Sequence, residues 1–318
     1  MITLEAVYVF AGFVYASFAV LSARDGANGK RFGNAAFWGL LAASFLFGSH
    51  LSDVQNGVLV LAMVLIGGLG GLGIGKPQTT SPEERRESAR LRGNWLFAPA
   101  LMIPAVALLG TLFFKDVNIA RHPLVDPKQV TLISLAIGIA LALIVAILWL
   151  KPQWLAPLQE GRRLVDTIGW AAILPQMLAS LGAVFALAGV GQQVGIIATR
   201  YIPLDQPFEA VIVYCAGMAA FTAIMGNAFA AFPVMTAAVG LPLIVHKFHG
   251  DPAIMGAIGM LSGFCGTLTT PMAANFNIVP AALLELRDQN GVIKAQLPTA
   301  GLMLIANTVL MYCLVFRF

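Results

Sequence analysis

The sequence predicts an all-α, polytopic integral membrane protein. Two observations carry that expectation. Only 11% of the 318 residues are charged and 58% are hydrophobic, with a mean hydropathy of +0.83; soluble domains carry roughly 25% charged residues. The apolar residues also gather into runs of about the 20 residues that a helix needs to cross a bilayer. Their number predicts about eight to ten membrane segments, some re-entrant or discontinuous. Intrinsic disorder, a disulfide scaffold and a nucleic-acid partner are excluded, although the net charge is +4. The three cysteines (Cys215, Cys265 and Cys313) are scattered through apolar surroundings and read as small hydrophobes.

Five runs fill the first half: 4–22, 33–50, 57–75, 95–114 and 129–150. The first lacks a basic leader and carries Glu5, so it reads as an uncleaved span. Residues 1–150 are therefore expected to form a scaffold of transmembrane helices. The first, third and fifth linkers hold eleven Lys and Arg residues and the other two hold three. The positive-inside rule then puts the N-terminus outside and the Arg162–Arg163 pair inside. In the third linker, Ser81-Pro82-Glu83-Glu84 has the spacing of a capping box with proline at the first helical position, which predicts a short cytoplasmic helix over 82–92. The glycines between Gly67 and Gly75 mimic a dinucleotide fingerprint and, with Lys76, a phosphate loop. Both are rejected, because the run ends an apolar span and Pro77 follows Lys76. Close packing of membrane helices is the expectation instead.

The second half is built differently. Its apolar runs, 164–200, 208–246 and 252–285, are long for one span and broken near their middles. Irregular backbone at membrane depth survives only where protein or a water-filled cavity covers it, and broken helices build the binding sites of secondary transporters. Residues 164–290 therefore read as a transport core, followed by a final span over 298–316. The first break suggests a hairpin tip at Gly191, Gln192 and Gln193, with an ordinary loop as the equal alternative. The second places Gly226 and Asn227 before Pro233, expected in the first turn of the continuing helix. The third is the richest, with Gly266, Thr267, Thr269, Thr270, Pro271, Asn275 and Asn277 inside an apolar run. Thr270-Pro271 reads as the N-cap and first residue of a half-helix, whose free N–H groups would favour a carboxylate.

This constellation predicts substrate binding by Asn227, Gly266, Thr267, Thr269, Thr270, Asn275 and Asn277, with Gly226, Pro233 and Pro271 as break or hinge residues. Amides, hydroxyls and half-helix ends suit a small anion with hydrogen-bonding groups, coupled to Na⁺ or H⁺. No cofactor or metal is expected. Asp166 is the one acid left for proton traffic, and beside Arg162 and Arg163 it is expected to face the membrane interface. H-E-x-x-H and G-x-S-x-G motifs and carboxylate pairs within a span are all missing, so the chain does not read as an enzyme.

Several segments carry a family resemblance: the opening Met1-Ile-Thr-Leu-Glu5, Ser22-Ala-Arg-Asp25, Gly33-Asn-Ala-Ala-Phe-Trp-Gly39, Gly226-Asn-Ala-Phe-Ala-Ala-Phe-Pro233 and Pro271-Met-Ala-Ala-Asn-Phe-Asn277. Over nearly its whole length the chain resembles bacterial membrane proteins grouped as domain of unknown function 979. The resemblance implies one subunit of a two-subunit 5-oxoproline (pyroglutamate) transporter, beside a smaller membrane subunit, in the bacterial inner membrane. The broken-helix region is also similar to the ion-transporter superfamily of gluconate, citrate and dicarboxylate carriers. The other function expected is a non-transporting membrane scaffold that stabilises a partner carrier.

Overall fold

The computed structural model describes residues 1–75, 80–114, 117–119, 122–201, 205–284 and 286–317. Lys76 and Pro77 lie outside the described residues. Among the described residues, apart from one pair of two-residue strands, β1 (Asn118–Ile119) and β2 (His122–Pro123), the regular secondary structure is helical. The chain divides into two compact units, Met1–Trp170 and Ala171–Phe318. Among the described residues, six helices are long and apolar enough to cross a membrane, and a seventh candidate is a pair bent by 67°. This is an all-α, multi-pass membrane protein.

The first unit contains α1 (Leu4–Ala23), α2 (Arg31–Phe47), α3 (Asp53–Gly68), α4 (Pro82–Arg92), α5 (Ala98–Phe113), α6 (Val130–Leu150) and α7 (Ala156–Ile168). Local chemistry starts two of these helices. The Ser52 hydroxyl accepts from Gln55 N and the Gln55 side chain accepts from Ser52 N, closing a capping box on α3. The box expected at Ser81 is also present, with Glu84 N donating to Ser81 Oγ at 3.2 Å and Ser81 N to Glu84 Oε2 at 2.8 Å. Helix α4 does not end at a loop, because a 3₁₀ turn over Gly93–Phe97 carries it into α5. The outward faces are apolar, as lipid requires: Leu148 on α6 is 68% exposed.

The linkers sort into two ends. At one, Ile2 N donates to Leu124 O and Asp126 N to Ile2 O, while Ser49 Oγ donates to Glu5. At the other, the first, third and fifth linkers meet through contacts of Asn28 and Asn34 with Gly73 and of Arg85 with Glu160. The glycine-rich segment is where the structure departs from expectation. Helix α3 stops at Gly68, and residues 71–75 run without regular structure across the start of α2. Only Gly67 packs tightly within a helix, where a Cβ would lie 2.8 Å from Trp170 Cβ. A Cβ on Gly33 would overlap the Gly71 carbonyl. The glycines thus permit a strap of backbone to lie against a helix, which a helix-packing pattern alone does not foresee.

The second unit contains α8 (Leu174–Leu187), α9 (Val190–Tyr201), α10 (Pro207–Met225), α11 (Ala228–Met235), a π-helix over Thr236–Lys247, α12 (Pro252–Thr267), α13 (Ile278–Leu283) and α14 (Gly291–Val315). Its core joins Tyr214, Met218, Val239, Ile244, Met255 and Met311, all at or below 2% exposure. Helix α10 ends because Gly226 adopts φ +75°, a left-handed conformation that costs glycine little. Pro233 falls in the second turn of α11, one turn later than expected, and Pro242 lies inside the π-helix. Each proline removes a backbone donor, and wider helical hydrogen bonding accompanies that loss here.

Replacing Gly33 by alanine should cost about 1–3 kcal/mol, because the neighbour it meets is backbone and cannot rotate away. A lowered unfolding midpoint in detergent would show it, with Gly29→Ala, which meets nothing within 4 Å, left unchanged.

Candidate functional site

The second and third breaks lie against each other. A Cβ on Gly226 would fall 2.5 Å from Met272 O, so the end of α10 is pressed onto the loop after α12. Asn227 restarts the chain as N-cap of α11, its Oδ1 accepting from Phe229 N at 2.8 Å. Helix α12 crosses α10 closely, because Gly266 packs on the backbone of Ala219.

The loop from Leu268 to Asn277 consists of turns, and the next helix begins only at Ile278. The half-helix expected from Thr270-Pro271 therefore does not form. Thr270 Oγ does accept a backbone proton, but from Met272 N at 3.2 Å, which closes a turn. The other hydroxyls turn back on their own chain: Thr267 Oγ donates to Phe264 O at 2.6 Å and Thr269 Oγ to Gly266 O at 2.8 Å. Asn277, fully buried, donates from Nδ2 to Thr267 O at 2.8 Å and to Thr270 O at 2.7 Å. It satisfies the carbonyls that the end of α12 leaves free. Asn275 and Pro271 are exposed.

Two buried polar atoms at these breaks have no hydrogen-bond partner among the described residues: Asn277 Oδ1 and Thr222 Oγ. Thr222 sits one turn before Gly226, and its carbonyl accepts from Gly226 N at 2.7 Å. A Cβ on Gly263 would lie 3.3 Å from its hydroxyl. Sequence reading missed Thr222, although a single hydroxyl one turn ahead of a glycine break is a usable signal. Buried donors and acceptors left unpaired are costly unless something else meets them.

The first break falls where the apolar run is interrupted, but its bend comes before the three positions expected at a tip. The bend falls at Ala188-Gly189, with Gly189 at φ +70°. Gly191, Gln192 and Gln193 lie within α9. Gly191 is a packing residue, since a Cβ there would meet Val234 O at 2.8 Å, and the two glutamines are exposed. No hairpin tip forms at those three positions.

The first unit holds a second buried polar cluster that the sequence did not announce. Asp166, 4% exposed, does not face the interface. Its Oδ1 accepts from Asn34 Nδ2 and Trp38 Nε1, both at 2.8 Å. Arg162 pairs with Asp25 at 2.9 Å and donates to Leu21 O at 3.1 Å. Asn34 also donates to Gly73 O at 2.7 Å and accepts from Gly73 N at 2.8 Å, holding the glycine strap in place. Burial pushes the Asp166 carboxyl above the usual carboxylate range, against the hydrogen bonds from Trp38 and Asn34 and the charge of Arg162.

Comparison with known proteins decides the family. The model of the family described as protein of unknown function (DUF979) matches residues 5–316. The chain belongs to this family. No match was found among curated proteins or among solved structures.

Asn277→Ala should destabilise the DUF979 chain by about 1–3 kcal/mol, because two carbonyls lose their donor. Thr222→Val should leave stability unchanged or raise it, since it removes a hydroxyl that has no partner. Denaturant unfolding of the two variants in one detergent checks both.

Proposed function

We propose that the chain is the membrane subunit of a secondary transporter for a small carboxylate, with 5-oxoproline as the substrate. In this reading it works with a second, smaller membrane subunit in a bacterial inner membrane. The observation that carries it is that two buried polar atoms, Thr222 Oγ before one of two helix breaks that lie against each other and Asn277 Oδ1 at the other, have no hydrogen-bond partner among the described residues. Polar groups beside broken membrane helices are the usual material of a transporter's binding site.

The chemistry supports the same reading. 5-Oxoproline presents a carboxylate, a lactam N–H and a lactam C=O. The Thr222 hydroxyl would donate to the carboxylate and Asn277 Oδ1 would accept from the lactam N–H. The start of α11 points a positive helix end toward the same break, which favours the anion. Both side chains are buried, so substrate entry requires the loop 268–277 to part from the end of α10. Gly226 is suited to that movement, because no side chain anchors the turn. The family resemblance supplies the substrate and the partner; the site supplies only the chemical class.

Binding of 5-oxoproline, measured by titration calorimetry on protein in lipid nanodiscs with and without the smaller subunit, tests the site. Thr222→Val should weaken binding at least about tenfold, the loss of one hydrogen bond to a charged group. Unchanged affinity in a folded Thr222→Val protein would remove Thr222 from the site. Wild-type protein that binds no 5-oxoproline in either form would favour the scaffold function.

A further inference from the structure

The cluster in the first unit contains more acid than its partners neutralise. Asp25 and Asp166 face one guanidinium, that of Arg162, and all three side chains are at least nine-tenths buried. Counted over the described residues, the cluster with both carboxyls ionised carries a net charge of −1 away from water. Asp166 Oδ1 is held by Asn34 and Trp38, while Oδ2 has no hydrogen-bond partner among the described residues. Asp25 Oδ2 is likewise unmatched as a hydrogen-bond acceptor, its ion pair with Arg162 being close but misaligned. Both Oδ2 atoms face one point beside the buried Gly75: a Cβ there would lie 2.5 Å from Asp25 Oδ2 and 3.6 Å from Asp166 Oδ2. Any larger residue at 75 would separate them.

We propose that Asp25 and Asp166 form a proton-binding site, in which Asp166 Oδ2 takes one proton from water and the cluster becomes neutral. Two carboxyls sharing a site with like charge cannot both ionise cheaply. The protonated carboxyl keeps Oδ1 as acceptor for Asn34 and Trp38 and gains a donor on Oδ2, on the side where Asp25 lies. Among the described residues, the other basic groups nearby are paired or exposed. Arg163 is paired with Glu160, and Arg24 and Lys30 are exposed; Lys76, which follows Gly75, lies outside the described residues. Burial, which raises the Asp166 carboxyl, acts in the same direction.

Position suggests a use. Asp166 lies near the end of α7, three residues before Gly169, which adopts φ +58° and leads along the chain into the second unit. Loss of the proton restores a buried net charge, which the hydrogen bonds from Asn34 and Trp38 to Oδ1 offset only in part. The site also lies at the end where the first, third and fifth linkers meet, the end expected in the cytoplasm. Its role as the site of a coupling proton rests on the transport reading; the protonation does not.

Infrared difference spectroscopy on the full chain in nanodiscs, titrated from acid to neutral pH, reads the proton directly. We expect the band of a protonated carboxyl to persist above the ordinary carboxylate range. It should vanish in Asp166→Asn and titrate lower in Asp25→Asn, where the like charge is gone and Arg162 remains. Stability follows with a definite sign. The folded state holds a proton that the unfolded state has released, so the unfolding midpoint should fall as pH rises between the ordinary and the raised carboxylate values. Asp166→Asn, an isostere of the protonated form, should lose that slope. Wild-type protein with no carboxyl protonated above the ordinary range would overturn the site, whether or not the chain transports. Stabilisation by Na⁺ at fixed pH that Asp166→Asn abolishes would also overturn it, in favour of a cation site. If the infrared result holds and the reconstituted protein moves no 5-oxoproline, the transport reading fails alone.

Discussion

A helix that breaks inside an apolar protein frees backbone N–H and C=O groups that lipid cannot satisfy. Among the described residues, asparagines meet that requirement at several breaks. Asn227 accepts from Phe229 N where α11 begins, and Asn277 donates to Thr267 O and Thr270 O where α12 ends. Asn34 takes both the N–H and the C=O of Gly73 in the strap after α3. An amide suits each place because it carries a donor and an acceptor without a charge to desolvate. Glycine is the necessary companion. Gly226 supplies the positive φ at one break, and Gly33 and Gly71 let the strap approach a helix at another.

The same economy marks what the amides leave unmet. Satisfying two carbonyls uses the Nδ2 of Asn277 and leaves its Oδ1 bare; closing the turn at Gly226 uses the carbonyl of Thr222 and leaves its hydroxyl bare. Asn34 and Trp38 occupy one oxygen of Asp166 and leave the other. Each unit therefore holds buried polar atoms with no hydrogen-bond partner among the described residues, and their chemistry differs. The second unit presents a neutral donor and acceptor, suited to a small organic anion. The first presents an excess carboxylate, suited to a proton. In the proposed reading, solute and coupling-ion chemistry would lie on separate parts of the chain.

Much of this was legible beforehand. Composition and run length were enough for the all-α membrane fold, and the Ser81 capping box announced α4 because its four residues carry their own hydrogen bonds. The breaks around residues 226 and 268–277 were visible as polar residues in apolar runs. Their internal geometry was not. Thr270-Pro271 has the chemistry of a helix start, yet Asn277 pulls the backbone at Thr267 and Thr270 into turns, a contact ten residues long that no local pattern encodes. Gly191 looked like a loop glycine because a glycine allowing close helix contact is written identically. Asp166 was misplaced for a related reason. Its neighbours in sequence, Arg162 and Arg163, suggest an interface, while its partners Asn34 and Trp38 lie more than a hundred residues away.

The most direct measurement is uptake of labelled 5-oxoproline into proteoliposomes containing this chain together with the smaller subunit proposed as its partner, under an imposed ion gradient. We expect saturable, gradient-dependent accumulation that the partner alone does not support. Correctly folded, co-reconstituted protein that accumulates no more label than empty liposomes would contradict the transporter assignment.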